Sequence, residues 1–328
     1  MNRKINRMHC ILIQGKIFFL LSVAVVFAQG PSVSDFTAIS SEGYEAILQF
    51  YQYDTTIPLN VQVTKNNPKE TREKIVFTGS NDKRVPGYLE IPEIGTKPCP
   101  CVLLLHGIGE SKEVWWQSNS MSHLGELKKR LLESGFAVAA LDAVYHGERI
   151  AENQYENPSN IIFQYGWFNK NRDMVLHSTI DYRRLLDYLA TRPDIDMKRI
   201  GAMGCSMGGG MTFLLTAVDS RIKTSIACVT PPYSKSVFEF SKIPFSQENL
   251  QKFRRIAISP NNFAHAIGTR PFLMIMGLKD FWYTEDEANQ LFDLIPGPTK
   301  ELIWFDSGHI LPIGFVLKAL SWFQSHLE

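Results

Sequence analysis

Arg199-Ile-Gly-Ala-Met-Gly-Cys-Ser-Met-Gly-Gly-Gly210 is the stretch on which the reading of this chain turns. An apolar run, Ile200 to Met203, ends at Gly204-Cys-Ser-Met-Gly208, and a helix-forming segment from Met211 to Val218 follows at once. This is G-x-S-x-G set between a strand and a helix, the arrangement that carries a serine hydroxyl out on a strained turn. Gly204 and Gly208 lack a Cβ, which lets strand and helix crowd together around that turn. Two glycines and a serine, all common residues, make a weak signal alone. Its weight depends on a strand, a helix, an acid and a histidine standing where the chemistry needs them.

Upstream, Cys101-Val-Leu-Leu-Leu105 is an uninterrupted apolar run, as expected of a strand covered on both faces of a sheet. It leads into His106-Gly-Ile-Gly109, and a helix is expected from Ser120 to Glu133, closed by Gly135. Strand Phe136 to Leu141, helix Val175 to Ala190 and strand Arg199 to Met203 come next. Beyond the serine the pattern predicts strands at Thr224–Val229, Phe272–Met276 and Glu301–Phe305, with helices at Glu285–Leu294 and Ile313–His326. Alternating strands and helices imply a mainly parallel sheet with helices on both faces. Before it, Lys74–Thr78 and Val85–Ile91 flank Gly79-Ser-Asn-Asp82 and read as an antiparallel hairpin. A small helix is expected within Glu42 to Tyr53, where Tyr44, Ile47, Leu48 and Tyr51 recur at helical spacing. The expected fold is therefore α/β, with residues 29–71 as leader and helix and 72–328 as one domain.

Two connections are long, about 143–174 and 230–270, and both are rich in aromatics, Trp167 and Tyr233 among them. They leave the C-terminal ends of strands, where open α/β sheets hold their ligands, so they read as lids or pocket walls, with packing decoration as the alternative.

A serine hydroxyl needs a base, ordinarily a histidine oriented by a carboxylate. Among the histidines downstream, His309 stands directly after a strand end, in Phe305-Asp-Ser-Gly-His309. Asp280 follows strand Phe272–Met276 through Gly277-Leu-Lys, giving the chain order Ser206, Asp280, His309. Asp306 is the rival carboxylate on the histidine's own loop, and Asp142 is expected to brace the loop beneath. Acyl transfer also needs donors for a developing oxyanion. The backbone N–H groups of Met207, after the serine, and Ile108, after the earlier strand, are the candidates, with His106 fixing the loop.

With 45% apolar and 20% charged residues and a net charge of +1, the composition offers no case for nucleic acid or an anionic membrane surface. The basic excess is at the N-terminus, where Arg3, Lys4, Arg7 and Lys16 precede the apolar run Ile17 to Phe27 and the small residues around Ala28. This reads as a signal peptide over residues 1–28 and an exported protein, periplasmic or secreted, starting near Gln29. An uncleaved membrane anchor is the alternative, although the run falls short of the ~20 residues that span a bilayer. Beyond the signal, Cys101, Cys205 and Cys228 occupy apolar runs and read as buried free thiols, and Cys99 is too close to Cys101 for a bridge within a strand. No C-x-x-C pair or His/Cys cluster points to a metal, and no cofactor is implied.

With these residues in view, the chain resembles an α/β-hydrolase of the dienelactone-hydrolase-like or prolyl-oligopeptidase-like serine esterase type, from about Arg72 to the C-terminus. The resemblance rests on Val85 to Pro92, Leu105-His-Gly107, Leu141 to Arg149, Asp181 to Tyr188, Gly204 to Gly208, Gly277 to Asp280 and Gly308-His309. It implies a serine carboxylesterase acting on a small-molecule ester, with Ser206 as nucleophile, His309 as base and Asp280 as its orienter. It also sets His146 and Arg149 beside the active site, either lining the pocket or in a structural salt bridge. The chain departs from named members. Dienelactone hydrolases carry a cysteine where Ser206 stands, Cys205 is expected to point the other way, and the propeller of prolyl oligopeptidases has no room here. An exopeptidase or amidase with the same triad, and a catalytically silent binding protein on the same fold, are the rival readings. An acetylated carbohydrate and a short-chain acyl ester are the substrates the reading favours.

Overall fold

The computed structural model describes residues 39–327 except 66, 68–70, 118–120, 234 and 256. The expected signal peptide, most of the leader, and Ser120 lie outside the described residues.

A short helix α1 (Ser41–Leu48) is capped by Ser40, whose hydroxyl accepts the Gly43 N–H. Strands β1 (Gln62–Thr64), β2 (Arg72–Thr78) and β3 (Arg84–Glu90) follow, then β4 (Cys99–Leu105), helix α2 (Leu124–Glu133) and β5 (Ala137–Leu141). After them come α3 (Asn160–Phe163), α4 (Phe168–Leu189), β6 (Ile195–Cys205), α5 (Met207–Val218) and β7 (Ile222–Cys228). Three short helices, α6 (Ser236–Glu239), α7 (Gln247–Arg255) and α8 (Pro260–Phe263), lead to β8 (Phe272–Gly277). Helix α9 (Glu285–Asp293), β9 (Lys300–Phe305) and α10 (Gly314–Leu327) complete the order.

The described strands form one nine-stranded sheet in the order β1-β2-β3-β5-β4-β6-β7-β8-β9. The first three pair antiparallel, β3 joins β5 antiparallel, and from β5 to β9 every pairing is parallel. This is the α/β-hydrolase arrangement, a mainly parallel sheet with an N-terminal antiparallel hairpin. Burial explains the continuous apolar runs. Successive side chains of a strand point to opposite faces. Val102, Leu104, Val138, Ala140 and Met203 accordingly enter one core, with α2 and α10. Leu103, Leu105, Ala139 and Ala202 enter the other, with α4 and α5. With both faces covered, no polar alternation is left to read.

Differences from the expected elements have local causes. Helix α4 begins at Phe168 rather than Val175, because Asn169 to Asp173 are polar and hide the helical period. Helix α5 begins at Met207 rather than Met211, straight through Gly208-Gly-Gly210. Contacts from outside the helix impose small residues there: a Cβ on Gly209 would overlap the Thr230 side chain. Strand β1 is short and wholly exposed, so no burial pattern marks it.

Candidate active site

Ser206 sits where the central strand β6 turns into α5. Its backbone is held at φ 57°, ψ −118°, a region that L side chains rarely occupy and that costs of order 1–3 kcal/mol. Surrounding contacts hold it there. The Ser206 N–H donates to the Cys228 carbonyl (2.9 Å), and the Gly210 N–H returns to the Ser206 carbonyl (3.1 Å). A Cβ on Gly204 would overlap the Gly208 carbonyl oxygen, and one on Gly208 would overlap that of Leu105. Both glycines are needed for strand and helix to meet at this angle.

Asp280 follows β8 and His309 follows β9, and the structure brings them together: Nδ1 of His309 donates to Oδ2 of Asp280 at 2.7 Å. The Asp280 side chain is fully buried and that of His309 is 24% exposed. A backbone donor also orients the carboxylate. The Trp282 N–H reaches Oδ1 at 3.0 Å, and the Tyr283 hydroxyl, close enough to Asp280 to feel its charge, accepts the Gly277 N–H at 3.0 Å. Burial, with the Asp280 charge adding to it, pushes the Tyr283 phenol far up, so it stays protonated. Because Nδ1 carries the proton shared with Asp280, Nε2 is left as a basic lone pair. Ser206 and His309 line the same cavity. Asp306 is on the surface, its side chain 74% exposed and paired with Lys279 at 2.8 Å.

Ile108 and Met207 also line that cavity, and neither backbone N–H has a hydrogen-bond partner among the described residues. The loop carrying Ile108 is tied down from below. His106 donates from Nδ1 to the Gly107 carbonyl (2.8 Å) and accepts the Ala143 N–H at Nε2 (3.1 Å), which fixes one neutral tautomer. Burial lowers its pKa to about 4. Glu110, exposed at the cavity, accepts the Gly107 N–H at 2.8 Å.

Of the four residues expected as possible pocket lining, Tyr233 is in the wall, its ring stacked on Phe253 at 4.3 Å. The other three stand elsewhere. Trp167 is 48% exposed at the start of α4 and stacks on Tyr165 at 4.5 Å, outside the cavity. Arg149 is buried in an ion pair with Asp181 (2.7 Å) and reaches Glu152 (3.0 Å). His146 packs against His106, ring centres 5.0 Å apart, and donates from Nδ1 to the Val144 carbonyl. Burial and the neighbouring His106 lower its pKa to about 3. These two hold the floor under the site. Cys205 also differs from expectation. It is half-buried and contributes to the cavity, beside Cys228 on the neighbouring strand. All four described cysteines are free.

Sequence reasoning did not single out Lys112, because a lysine in a loop ordinarily reads as solvated. Here it is 1% exposed, with Nζ 2.8 Å from Asp142 and 2.7 Å from Glu148. Burial works against its charge, and those two carboxylates outweigh it and hold the pKa above its ordinary value. Asp142, wholly buried, also accepts the Lys112 and Glu148 N–H groups (both 2.9 Å), so it braces the loop as expected. Glu110 was likewise passed over, since nothing in a lone glutamate after a glycine loop signals that it turns back.

The cavity is about 340 Å³. The two long connections supply much of its wall: Ile162 and Phe163 on α3, Val175 on α4, Val237 on α6, Phe253 on α7, and Ile258. Among the described residues no cluster of three or more His, Cys, Asp or Glu is arranged to hold a metal. No helix of the described residues is long and apolar enough to cross a membrane.

Comparisons with known proteins give the setting. A family model described as "Serine hydrolase (FSH1)" matches residues 97–315. The chain is similar to the putative hydrolase YtaP of Bacillus subtilis, 25% identical over 177 residues covering 52% of this chain; it spans 56% of that protein's length. It is also similar to the putative esterase YitV of Bacillus subtilis, 26% identical over 251 residues, 70% of this chain and 89% of that one. Among solved structures, an acetyl xylan esterase from Paenibacillus sp. R4 matches with a TM-score of 0.67 at 18% identity, covering 89% of this chain and 96% of that one. Acetyl xylan esterase 1 from Thermoanaerobacterium sp. JW/SL YS485 matches with a TM-score of 0.65 at 19% identity, covering 89% and 93%. At those identities the likeness is one of fold.

Proposed function

We propose, given that the chain belongs to the serine hydrolase (FSH1) family and is a hydrolase acting on esters, that it cleaves a small carboxylic ester through an acyl-enzyme on Ser206. One observation carries this reading: the 2.7 Å contact of His309 with buried Asp280 leaves Nε2 free in the cavity that Ser206 lines. Ser206 Oγ attacks the ester carbonyl carbon as His309 Nε2 takes its proton, and the carbonyl oxygen becomes an oxyanion. The N–H groups of Met207 and Ile108, which point no bond elsewhere, receive that charge. The C–O bond to the alcohol breaks, and His309 passes the proton to the departing oxygen. Water then attacks the acyl-enzyme with His309 again as base, releasing the acid and restoring the Ser206 hydroxyl. Asp280 orients the imidazole throughout and stabilises the imidazolium.

A fluorophosphonate probe tests it: Ser206 of the wild type is labelled, and Ser206→Ala is not. Labelling that survives Ser206→Ala, or an unlabelled wild type, sinks the reading. Faster release from an aminoacyl-arylamide than from a p-nitrophenyl ester would instead favour a peptidase or amidase. The acetyl xylan esterases similar in fold place acetylated xylan among the substrates to test. Export is part of the proposal. The basic residues up to Lys16 and the apolar run to Phe27 support a cleaved signal, and a mature N-terminus near Gln29 in the periplasm or medium is the expected outcome of N-terminal sequencing.

A further inference from the structure

Resting on that esterase reading, we infer that the site is built for an ester bearing a bulky, uncharged, apolar group of roughly six to ten carbons, rather than for a sugar acetate. Volume is the first argument. A cavity of about 340 Å³ has room for about eleven groups the size of a water molecule at ~30 Å³ each. An acetyl group, with three heavy atoms, would fill about a quarter of it. Apolar cavities gain nothing from water, so the unfilled remainder would contribute neither affinity nor rate.

Chemistry of the wall is the second argument. The lining includes the polar side chains of Glu110, Ser122, Asn171, Tyr233 and Trp282, but its larger share is apolar, and Ile162, Phe163, Val175, Val237, Phe253 and Ile258 offer no hydrogen bond to a sugar hydroxyl. A carbohydrate ring seated against them would leave its hydroxyls unpaired, which sites of this kind reject strongly. The wall is also joined to the catalytic loop. Phe163 packs on Trp282 with ring centres 4.8 Å apart, and Trp282 stands 6.3 Å from His309. Ile310, in the lining, is 51% exposed and continues the apolar surface outward, and Phe281 (50% exposed) has its ring 6.4 Å from that of His309.

Charge is the third. Among the described lining residues there is no lysine or arginine, and Glu110 is the sole carboxylate. Its bond to the Gly107 N–H fixes that charge beside the proposed oxyanion loop. Nothing in the lining would receive a second anion, and Glu110 would repel one. The site therefore selects neutral esters over those ending in a carboxylate.

The apolar group could enter on the acyl or the alcohol side, and two substrate series separate them: p-nitrophenyl esters from acetate to decanoate, and alkyl acetates of matching lengths followed by acid release. In one series kcat/KM rises by up to about fourfold per methylene, reaching at least 100-fold over the two-carbon member near eight carbons. Mono-p-nitrophenyl suberate is at least 100-fold slower than the octanoate, and Glu110→Gln narrows that gap. Val237→Trp lowers the ratio of eight-carbon to two-carbon rates at least tenfold. Wild-type inhibition by alkylboronic acids, which needs no variant and no turnover, tightens in parallel with chain length. Rates and inhibition that stay flat or fall with length, in an enzyme whose Ser206 is labelled by fluorophosphonate, overturn this inference and leave the esterase reading standing. An unlabelled Ser206 overturns both.

Discussion

Asp280→Asn removes one charge and almost no volume, and the structure says what each part of the change should do. In the wild type Asp280 takes two donors on its two oxygens: His309 Nδ1–H at 2.7 Å and the Trp282 N–H at 3.0 Å. An amide has one acceptor oxygen, so its NH2 must face either Trp282 or His309. If it faces His309, Nδ1 has to accept and the proton moves to Nε2, the atom that should take the serine proton. If it faces Trp282, a part-buried N–H loses its partner. The charge is lost in either case. When His309 becomes an imidazolium, it and the carboxylate are unit charges about 4 Å apart, worth about 4 kcal/mol at an effective dielectric of ~20. That is roughly a thousandfold in rate, and the tautomer shift takes the expected loss in kcat toward ~10⁴. KM should change little, because Asp280 is buried behind His309 and is not in the cavity wall. Steady-state hydrolysis of a p-nitrophenyl ester gives both constants, with a thermal melt to show that the variant is folded. Asp306→Asn is the matched control: its carboxylate is 74% exposed and engaged with Lys279. A folded Asp280→Asn enzyme keeping more than a tenth of wild-type kcat would refute the assignment, and so would a larger loss from Asp306→Asn.

Other consequences can be measured without substrate. His106 and His146 have folded-state pKa values of about 4 and about 3, depressed chiefly by burial below the ~6.5 of an unfolded chain. Their neutral forms are thus favoured in the fold; stability is complete above pH 6.5 and is lost as pH falls, about 2 kcal/mol for each between pH 7 and 5. Urea melts at the two pH values should show it, and His146→Gln should reduce the difference by about half; equal midpoints would be inconsistent with buried neutral rings. Lys112→Met leaves Asp142 buried without its cation and should cost about 3–5 kcal/mol in the same assay. A loss below 1 kcal/mol would mean that Asp142 is satisfied by backbone donors alone. Gly204→Ala drives a Cβ into the Gly208 carbonyl, so a loss of about 3 kcal/mol or more is expected, together with loss of fluorophosphonate labelling at Ser206. A stable, labelled variant would show that the elbow has more slack than its contacts allow.

The placement of the proposed catalytic frame was legible because it stands at strand ends, and strand ends are visible wherever an apolar run stops. Leu105, Cys205, Gly277 and Phe305 close β4, β6, β8 and β9, and Ile108, Ser206, Asp280 and His309 lie within a few residues beyond them. Their nearness in chain to a buried strand fixes their place in space. Residues set by contacts far apart in sequence were not legible. Lys112 finds Asp142 and Glu148 thirty and thirty-six positions on, and Glu110, although only three positions from Gly107, meets it through a bend that no residue pattern marks. No local pattern distinguishes such a lysine or glutamate from a solvated one. For Trp167, His146 and Arg149 the sequence left pocket lining and a structural role both open. They lie in the right connection, but exposure decides the first and burial beneath the floor decides the other two.

The same division bears on specificity. The strand-end frame sets Ser206, His309 and the proposed N–H donors Met207 and Ile108 around one cavity. The connections at 160–175 and 231–258 bring Ile162, Phe163, Val175, Val237, Phe253 and Ile258 over it, and the Phe163–Trp282 contact couples that wall to the loop holding Asp280. Substrate preference can therefore shift through these segments while the His309–Asp280 geometry stays fixed. It follows that likeness of fold to esterases of acetyl xylan, carried by the frame, does not fix the acyl group. Substitution in the wall should change the ratio of long to short esters, whereas substitution at Asp280 should lower every ester by the same factor.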